Sequence, residues 1–159
     1  MGEFILVINL KRLVISLLVP LAVGGVAGII TGGSSDVYSQ FVKPPLSPPG
    51  WVFPVVWTIL YICMGLAFYF VWQSDAPSKS TAMQLYFIQL AMNFVWPILF
   101  FRFGAYGFSF VWLLVLWILI LFTVFAFYAA DKKAGYLMIP YLLWVAFAGY
   151  LNLGVYILN

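Results

Sequence analysis

KPPLSPPGWVFPVVWTILY, residues 43–61, joins two kinds of backbone without a spacer, and the join decides how the rest of the chain is arranged. Pro44, Pro45, Pro48 and Pro49 hold φ at about −65° and remove backbone donors, which excludes helix and sheet ladder and leaves an extended, polyproline-like strap. From Trp51 the character changes. Phe53, Val55, Val56, Trp57, Ile59, Leu60 and Tyr61 open a long apolar helix, and Pro54 is tolerated because it falls in the first turn, where the missing N–H has no partner in any case. A stiff strap is therefore tied directly onto an apolar helix.

The surrounding composition says what kind of helix it is. The chain is 66% hydrophobic and 7% charged, with a mean hydropathy of +1.12, whereas about a quarter of the residues of a soluble domain are charged. This is the composition of an integral membrane protein. A span takes about 20 apolar residues, so the 159 residues hold a handful of spans in one all-α bundle and no separate soluble domain. The single cysteine, Cys63, lies inside an apolar helix and reads as a small buried hydrophobe, and no intrachain disulfide can form. There is no histidine, which removes the commonest general base, metal ligand and haem ligand together. The net charge of +3 is too dispersed to suggest nucleic acid, and no cofactor is expected.

Five spans follow, at about 13–31, 51–72, 81–101, 105–130 and 134–158, forming one transmembrane domain over 1–159. The first is preceded by Lys11 and Arg12 and resembles a secretory signal, but it is longer than a typical signal core and lacks a small-x-small cleavage site. Gly24, Gly28 and Gly32 share one face of it, the spacing that lets helices approach closely in lipid. Packing against a neighbouring helix of the same chain is favoured over a dimer contact. Loop one, about 33–50, carries Asp36, Tyr38 and the strap, and QSDAPSKS at 73–80 ends the second span. Trp51 and Trp72 fit interfacial anchors. Pro97 and Pro140 fall inside the third and fifth spans.

The acids Glu3, Asp36, Asp75 and Asp131, and all the bases, fall in loops or termini on this reading. Coupled transporters and proton pumps hold charge near mid-membrane, so coupled transport is disfavoured. What the spans do contain is amides and rings: Gln89, Asn93, Asn152, Trp57, Trp96, Trp112, Trp117 and Trp144. At 1.5 Å rise per residue, Trp57, Trp96, Asn93 and Asn152 lie about 8–13 Å below the loop-one end of the bundle. They also form stripes: Trp57, Tyr61 and Gly65; Gln89, Asn93 and Trp96; Trp144, Ala148 and Asn152. Such stripes suit bulk packing and interhelical amide bonds, or an aromatic cavity capped by the strap, and their shared depth favours the cavity.

These residues carry a resemblance. Tyr38, the KP at Lys43, PPGWVFP, VVWTILY, QLAMNFVW at 89–96 and IPYLLW running on to Asn152 stand in an order similar to that of the translocator protein family, whose bacterial members are called tryptophan-rich sensory proteins. The resemblance covers nearly the whole chain. It implies a five-helix bundle, often a homodimer, that binds porphyrins and synthetic isoquinoline or benzodiazepine-type ligands, and in some members cholesterol. It implies a pocket under loop one lined by the matching Tyr38, Pro48, Trp57, Tyr61, Trp96, Trp144 and Ala148, to which the depth argument adds Asn93 and Asn152.

Two departures stand out. Many relatives have tryptophan where this chain has Leu46, and cholesterol-binding members carry an arginine-containing motif late in the fifth span, whereas no Lys or Arg follows Lys133 here. Sterol recognition through that site is not expected, and the pattern formed by Val124, Tyr128 and Lys132 is of a kind too short to carry weight. Three functions remain: binding and sensing of a tetrapyrrole, light- and oxygen-dependent porphyrin degradation with Trp57 and Trp144 as the matching residues, and passive translocation of porphyrin or lipid. They rank in that order, because nothing in the chain supplies a base, a metal site or a redox cofactor.

Orientation follows from charge. Lys11, Arg12, Lys79, Lys132 and Lys133 flank one side, against Lys43 and Arg102 on the other, which puts the N-terminus in the cytoplasm and loop one and the C-terminus outside. In a bacterial source the membrane is the cell membrane. A tag at the N-terminus is expected to be protected from protease added to intact cells, and one after Asn159 to be cleaved; the reverse pattern would overturn this orientation.

Overall fold

The computed structural model describes residues 8–32 and 34–159, so Glu3 and Gly33 lie outside the described residues. Its elements are α1 (Leu10–Ile30), α2 (Ser34–Gln40), α3 (Val52–Gln73), α4 (Lys79–Pro97) continued by a π-helical turn (Ile98–Arg102), α5 (Tyr106–Ala130) and α6 (Lys132–Leu158). Five of these segments are long and apolar enough to cross a membrane, α4 being counted together with its π-helical turn. The expected five-helix membrane bundle is what forms.

Boundaries are set by caps. α1 begins ahead of its apolar run because the Asn9 side chain accepts from the Arg12 N–H at 3.1 Å. α6 begins directly after α5 because Asp131 accepts from the backbone N–H groups of Lys133, at 2.7 Å, and Ala134. At the same end of the bundle the Lys79 ammonium donates to the carbonyls of Trp72 at 2.6 Å and Ser74 at 3.1 Å, closing the C-terminus of α3. The Arg12 guanidinium lies over the Trp72 ring and donates to Gln73. Among the described residues every Asp, Lys and Arg stands at a helix end, in α2 or in a connection.

Two elements differ from the sequence reading. Loop one was read as a connection, yet its first half is α2; a seven-residue polar segment has no apolar period to announce it, and its Tyr38 packs edge-on against Phe53 of α3. The third span was expected to run as one helix, but Pro97 has no N–H to give Asn93, and the ladder re-forms one residue wider, with Phe103 N–H bonded to Ile98 O at 3.1 Å. Gly104, at φ 61°, then turns the chain so that Ala105 N–H reaches Leu99 O at 3.0 Å.

The spans form a ring in which α1 neighbours α3, α3 neighbours α6, α6 neighbours α5, α5 neighbours α4, and α4 closes on α1. Lipid offers helices no net hydrophobic gain from association, so the contacts rely on close fit. Gly65 shows it best: a Cβ there would stand 2.7 Å from Ser16 O and 2.9 Å from Leu17 Cα, so α3 lies backbone to backbone on α1. Gly24 faces Tyr61 of α3 so tightly that a Cβ would overlap the ring. The small residues of α1 and α3 thus serve an interface within the chain.

Gly65→Leu must push α1 away and is expected to cost about 1–3 kcal/mol, read as a lower thermal midpoint by circular dichroism in detergent. Gly28→Ala, where a Cβ meets nothing within 4 Å, is expected to leave the midpoint in place.

Candidate functional site

The polar residues of the spans bond to one another before anything else. Tyr61 of α3 donates its hydroxyl to Asn93 Oδ1 at 2.7 Å, and Asn93 Nδ2 donates to the Tyr141 oxygen at 2.9 Å. Tyr141 donates in turn to Gln89 Oε1 at 2.8 Å. Asn93, on α4, therefore joins α3 and α6 with both ends of its amide in use. A second node sits nearer loop one. Asn152 Oδ1 accepts from the Trp96 indole at 3.0 Å and is also within reach of the Ser109 hydroxyl, while Asn152 Nδ2 donates to Tyr106 O at 2.8 Å. The first node ties α3, α4 and α6 together and the second ties α4, α5 and α6, and a space lies beside them.

That space is a cavity of about 410 Å³ under α2, walled by α1, α3, α4 with its π-helical turn, and α6. It falls within the roughly 300–1,000 Å³ usual for small-molecule sites. Tyr38, Trp57, Tyr61, Asn93, Trp96, Ala148 and Asn152 all line it. Trp57 is its central ring, with centroids 5.7 Å from Tyr61, 6.2 Å from Tyr141 and 6.4 Å from Trp96. Pro48 and Trp144 do not line it. Pro48 stands behind Tyr38, its backbone carbonyl accepting a hydrogen bond from the Tyr38 hydroxyl at 2.7 Å. Trp144 stands behind Phe53, edge-on at 6.0 Å, and its indole N–H is buried without a partner. Gly65 is used against α1 and Gln89 in the tyrosine network, so both stripes reach the cavity only with their other members.

The lid is α2 and the strap. Tyr150 donates to Pro45 O at 2.7 Å, and Asn159 bonds Val42 in both directions, accepting from its N–H at 3.0 Å and donating to its carbonyl at 2.9 Å. Pro44 lies against Gly154, where a Cβ could not fit. Phe41 packs edge-on against Phe100 at 5.8 Å and Tyr106 at 5.3 Å. Between Pro45 and Ser47 the strap turns at Leu46, whose φ of 66° is rare for a branched residue. Burial raises the pKa of the Tyr38 hydroxyl above its ordinary value, with a hydrogen bond to Ser47 acting the other way, so Tyr38 stays a neutral donor at neutral pH.

Sequence reasoning did not find the α1 wall, formed by Leu21, Gly24, Ala27, Gly28 and Thr31, or Phe53 and Phe100. The glycine spacing of α1 was visible but reads equally as packing. Chemically, the cavity offers ring faces and prepaired amides, and among the described residues no carboxylate, ammonium or guanidinium lines its wall. Among the described residues no cluster of His, Cys, Asp and Glu could hold a metal ion. It suits a flat, uncharged or weakly polar aromatic molecule.

The chain is similar to known proteins along most of its length. The sequence profile of the TspO/MBR family matches residues 16–158. A tryptophan-rich protein TspO of Archaeoglobus fulgidus is 36% identical over 95% of this chain and 99% of its own. One of the same name from Chlorobaculum tepidum is 40% identical over 79% of this chain and 81% of its own. The translocator protein of Bos taurus is 37% identical over 72% of this chain and 70% of its own.

Tyr141→Phe strands the buried Gln89 Oε1 and one Asn93 N–H, which is expected to cost about 1–3 kcal/mol of stability. Adding Gln89→Leu removes one stranded partner and is expected to recover part of the lost thermal midpoint; a simple sum of two losses would show that the bond carries nothing.

Proposed function

The chain belongs to the TspO/MBR family of membrane proteins, and on that premise we propose that it is a receptor or sensor that binds porphyrins and related flat aromatic ligands in the cavity beneath loop one. One observation carries the reading: the cavity sets Trp57, Trp96, Tyr61 and Tyr38 around one space while the neighbouring amides are already bonded to protein. Ring faces are then the main attraction left to offer. An aromatic contact is worth about 0.5–1.5 kcal/mol beyond its buried area, so a few such rings suffice for useful affinity.

Synthetic isoquinoline and benzodiazepine-type ligands would take the same space. Trp144 joins the site if Phe53, which packs against Trp144 at 6.0 Å and against Tyr38 at 5.0 Å, swings aside. On the charge count the loop-one end, and the cavity with it, faces outward. Ion-coupled transport gains no support, because among the described residues no Asp, Lys or Arg lies mid-span. Passive translocation and photo-oxidation of the bound ligand remain as outcomes of the test.

Protoporphyrin IX added in the dark to the purified protein is expected to quench tryptophan emission saturably. Trp57→Phe should weaken binding by about 0.5–1.5 kcal/mol, whereas Trp112→Phe, whose indole is bonded to Met92 O outside the cavity, should leave it unchanged. Absence of saturable quenching overturns the reading. Loss of the porphyrin spectrum under illumination in air, abolished in Trp57→Phe or Trp144→Phe, would make the protein an enzyme; flux across liposomes without retention would make it a passive translocator.

A further inference from the structure

Resting on the reading of the cavity as a ligand site, we propose that its ligand comes and goes through a fissure between α1 and α3 that faces the bilayer, and not past the strap. The two helices are pressed together at Gly65 on Ser16 and Leu17, and again at Gly24 on Tyr61. Beyond Gly24 they part. Gly25 and Gly28 of α1 and Pro54 and Thr58 of α3 line the cavity and are exposed. A Cβ built on Gly25 or Gly28 meets nothing within 4 Å, so one edge of the fissure is bare backbone beside open space. Each pair spans about one turn of its helix, so the edges run for about 4.5–6 Å along the axis, and Tyr61 closes the fissure at its deep end.

The edges suit hydrocarbon. Pro54 has no N–H, and the Thr58 hydroxyl donates back to Pro54 O at 2.7 Å, leaving no side-chain donor free toward lipid. The glycines add no side-chain polar atom. The loop-one side has the opposite character: to pass there, a ligand must break the Tyr150 and Asn159 bonds to the strap and lift Phe41 from Phe100 and Tyr106. A flat apolar molecule is already concentrated in the bilayer, because its apolar surface avoids water. Lateral passage lets it reach Trp57 without crossing water at all. The glycines thereby act as a size limit on what is admitted, a role separate from the Gly24 and Gly65 contacts that hold the helices.

The test uses the full protein in phosphatidylcholine vesicles with protoporphyrin IX, followed by stopped-flow quenching. Gly25→Leu with Gly28→Leu narrows the fissure where space for the side chains exists, so the bundle is expected to keep its thermal midpoint. Association is expected to slow by about tenfold, and dissociation to slow with it, since a higher barrier acts on both directions alike; both glycines also line the cavity, so the two rates and not Kd carry the result. Tyr150→Phe with Asn159→Ala, which frees the strap, is expected to leave both rates unchanged. Faster exchange in the strap variant with no effect of the leucines overturns the proposal, as does a loss of affinity in the leucine variant at an unchanged association rate. A second readout needs no porphyrin. Dibrominated phosphatidylcholine should quench Trp57, seen as the difference between the unaltered protein and Trp57→Phe, and the leucine pair should remove that quenching. If porphyrin fails to bind, the functional reading falls, but the bromolipid result still decides the fissure: equal quenching with and without the leucines overturns it.

Discussion

Asn93 sits where three helices meet, and its side-chain amide is committed at both ends, accepting from Tyr61 and donating to Tyr141. In a bilayer an unbonded amide has no water to turn to, so such a group is either satisfied by its neighbours or costly. The satisfied arrangement fixes α3, α4 and α6 relative to one another, and Tyr141 extends it to Gln89 one turn deeper. Because the hydroxyls arrive on long, flat side chains, the helices they join are held apart on the side of loop one. The cavity is the consequence of that spacing. Asn152 repeats the device near the rim, where it orients the Trp96 indole.

Where the tyrosine network holds helices apart, glycine lets others touch. Gly65 brings α3 onto the backbone of α1, and Gly24 takes the Tyr61 ring whose hydroxyl serves Asn93. The two kinds of contact therefore share a residue. Tyr61 is the point at which close approach ends and the cavity begins, and this explains why α1, which contributes no aromatic ring to the wall, still shapes it.

The lid is stiff for reasons that are partly local and partly remote. Its prolines reduce the freedom that ordering would otherwise remove. Its position, however, comes from Tyr150 and Asn159, at the far end of the chain, and from Gly154, which leaves room for Pro44. Similarly, Pro97 weakens α4 in sequence terms, but the wider turn it produces carries Phe100 to where Phe41 of the lid rests on it.

The sequence by itself determined the number of spans, the strap, the placement of charge at helix ends and the depth of Trp57, Trp96, Asn93 and Asn152, because hydropathy and rise per residue are properties of each segment alone. It also named part of the cavity wall: Tyr38, Trp57, Tyr61, Asn93, Trp96, Ala148 and Asn152. Tertiary structure decided the rest. Whether Trp144 or Phe53 meets the cavity, whether Gly24 or Gly28 touches α3, and whether 34–40 coils into α2 all depend on which neighbour fills the space beside them. Those are questions of azimuth and separation between helices, and a stripe of residues that suits both packing and lining holds no information about its partner until the partner is in place.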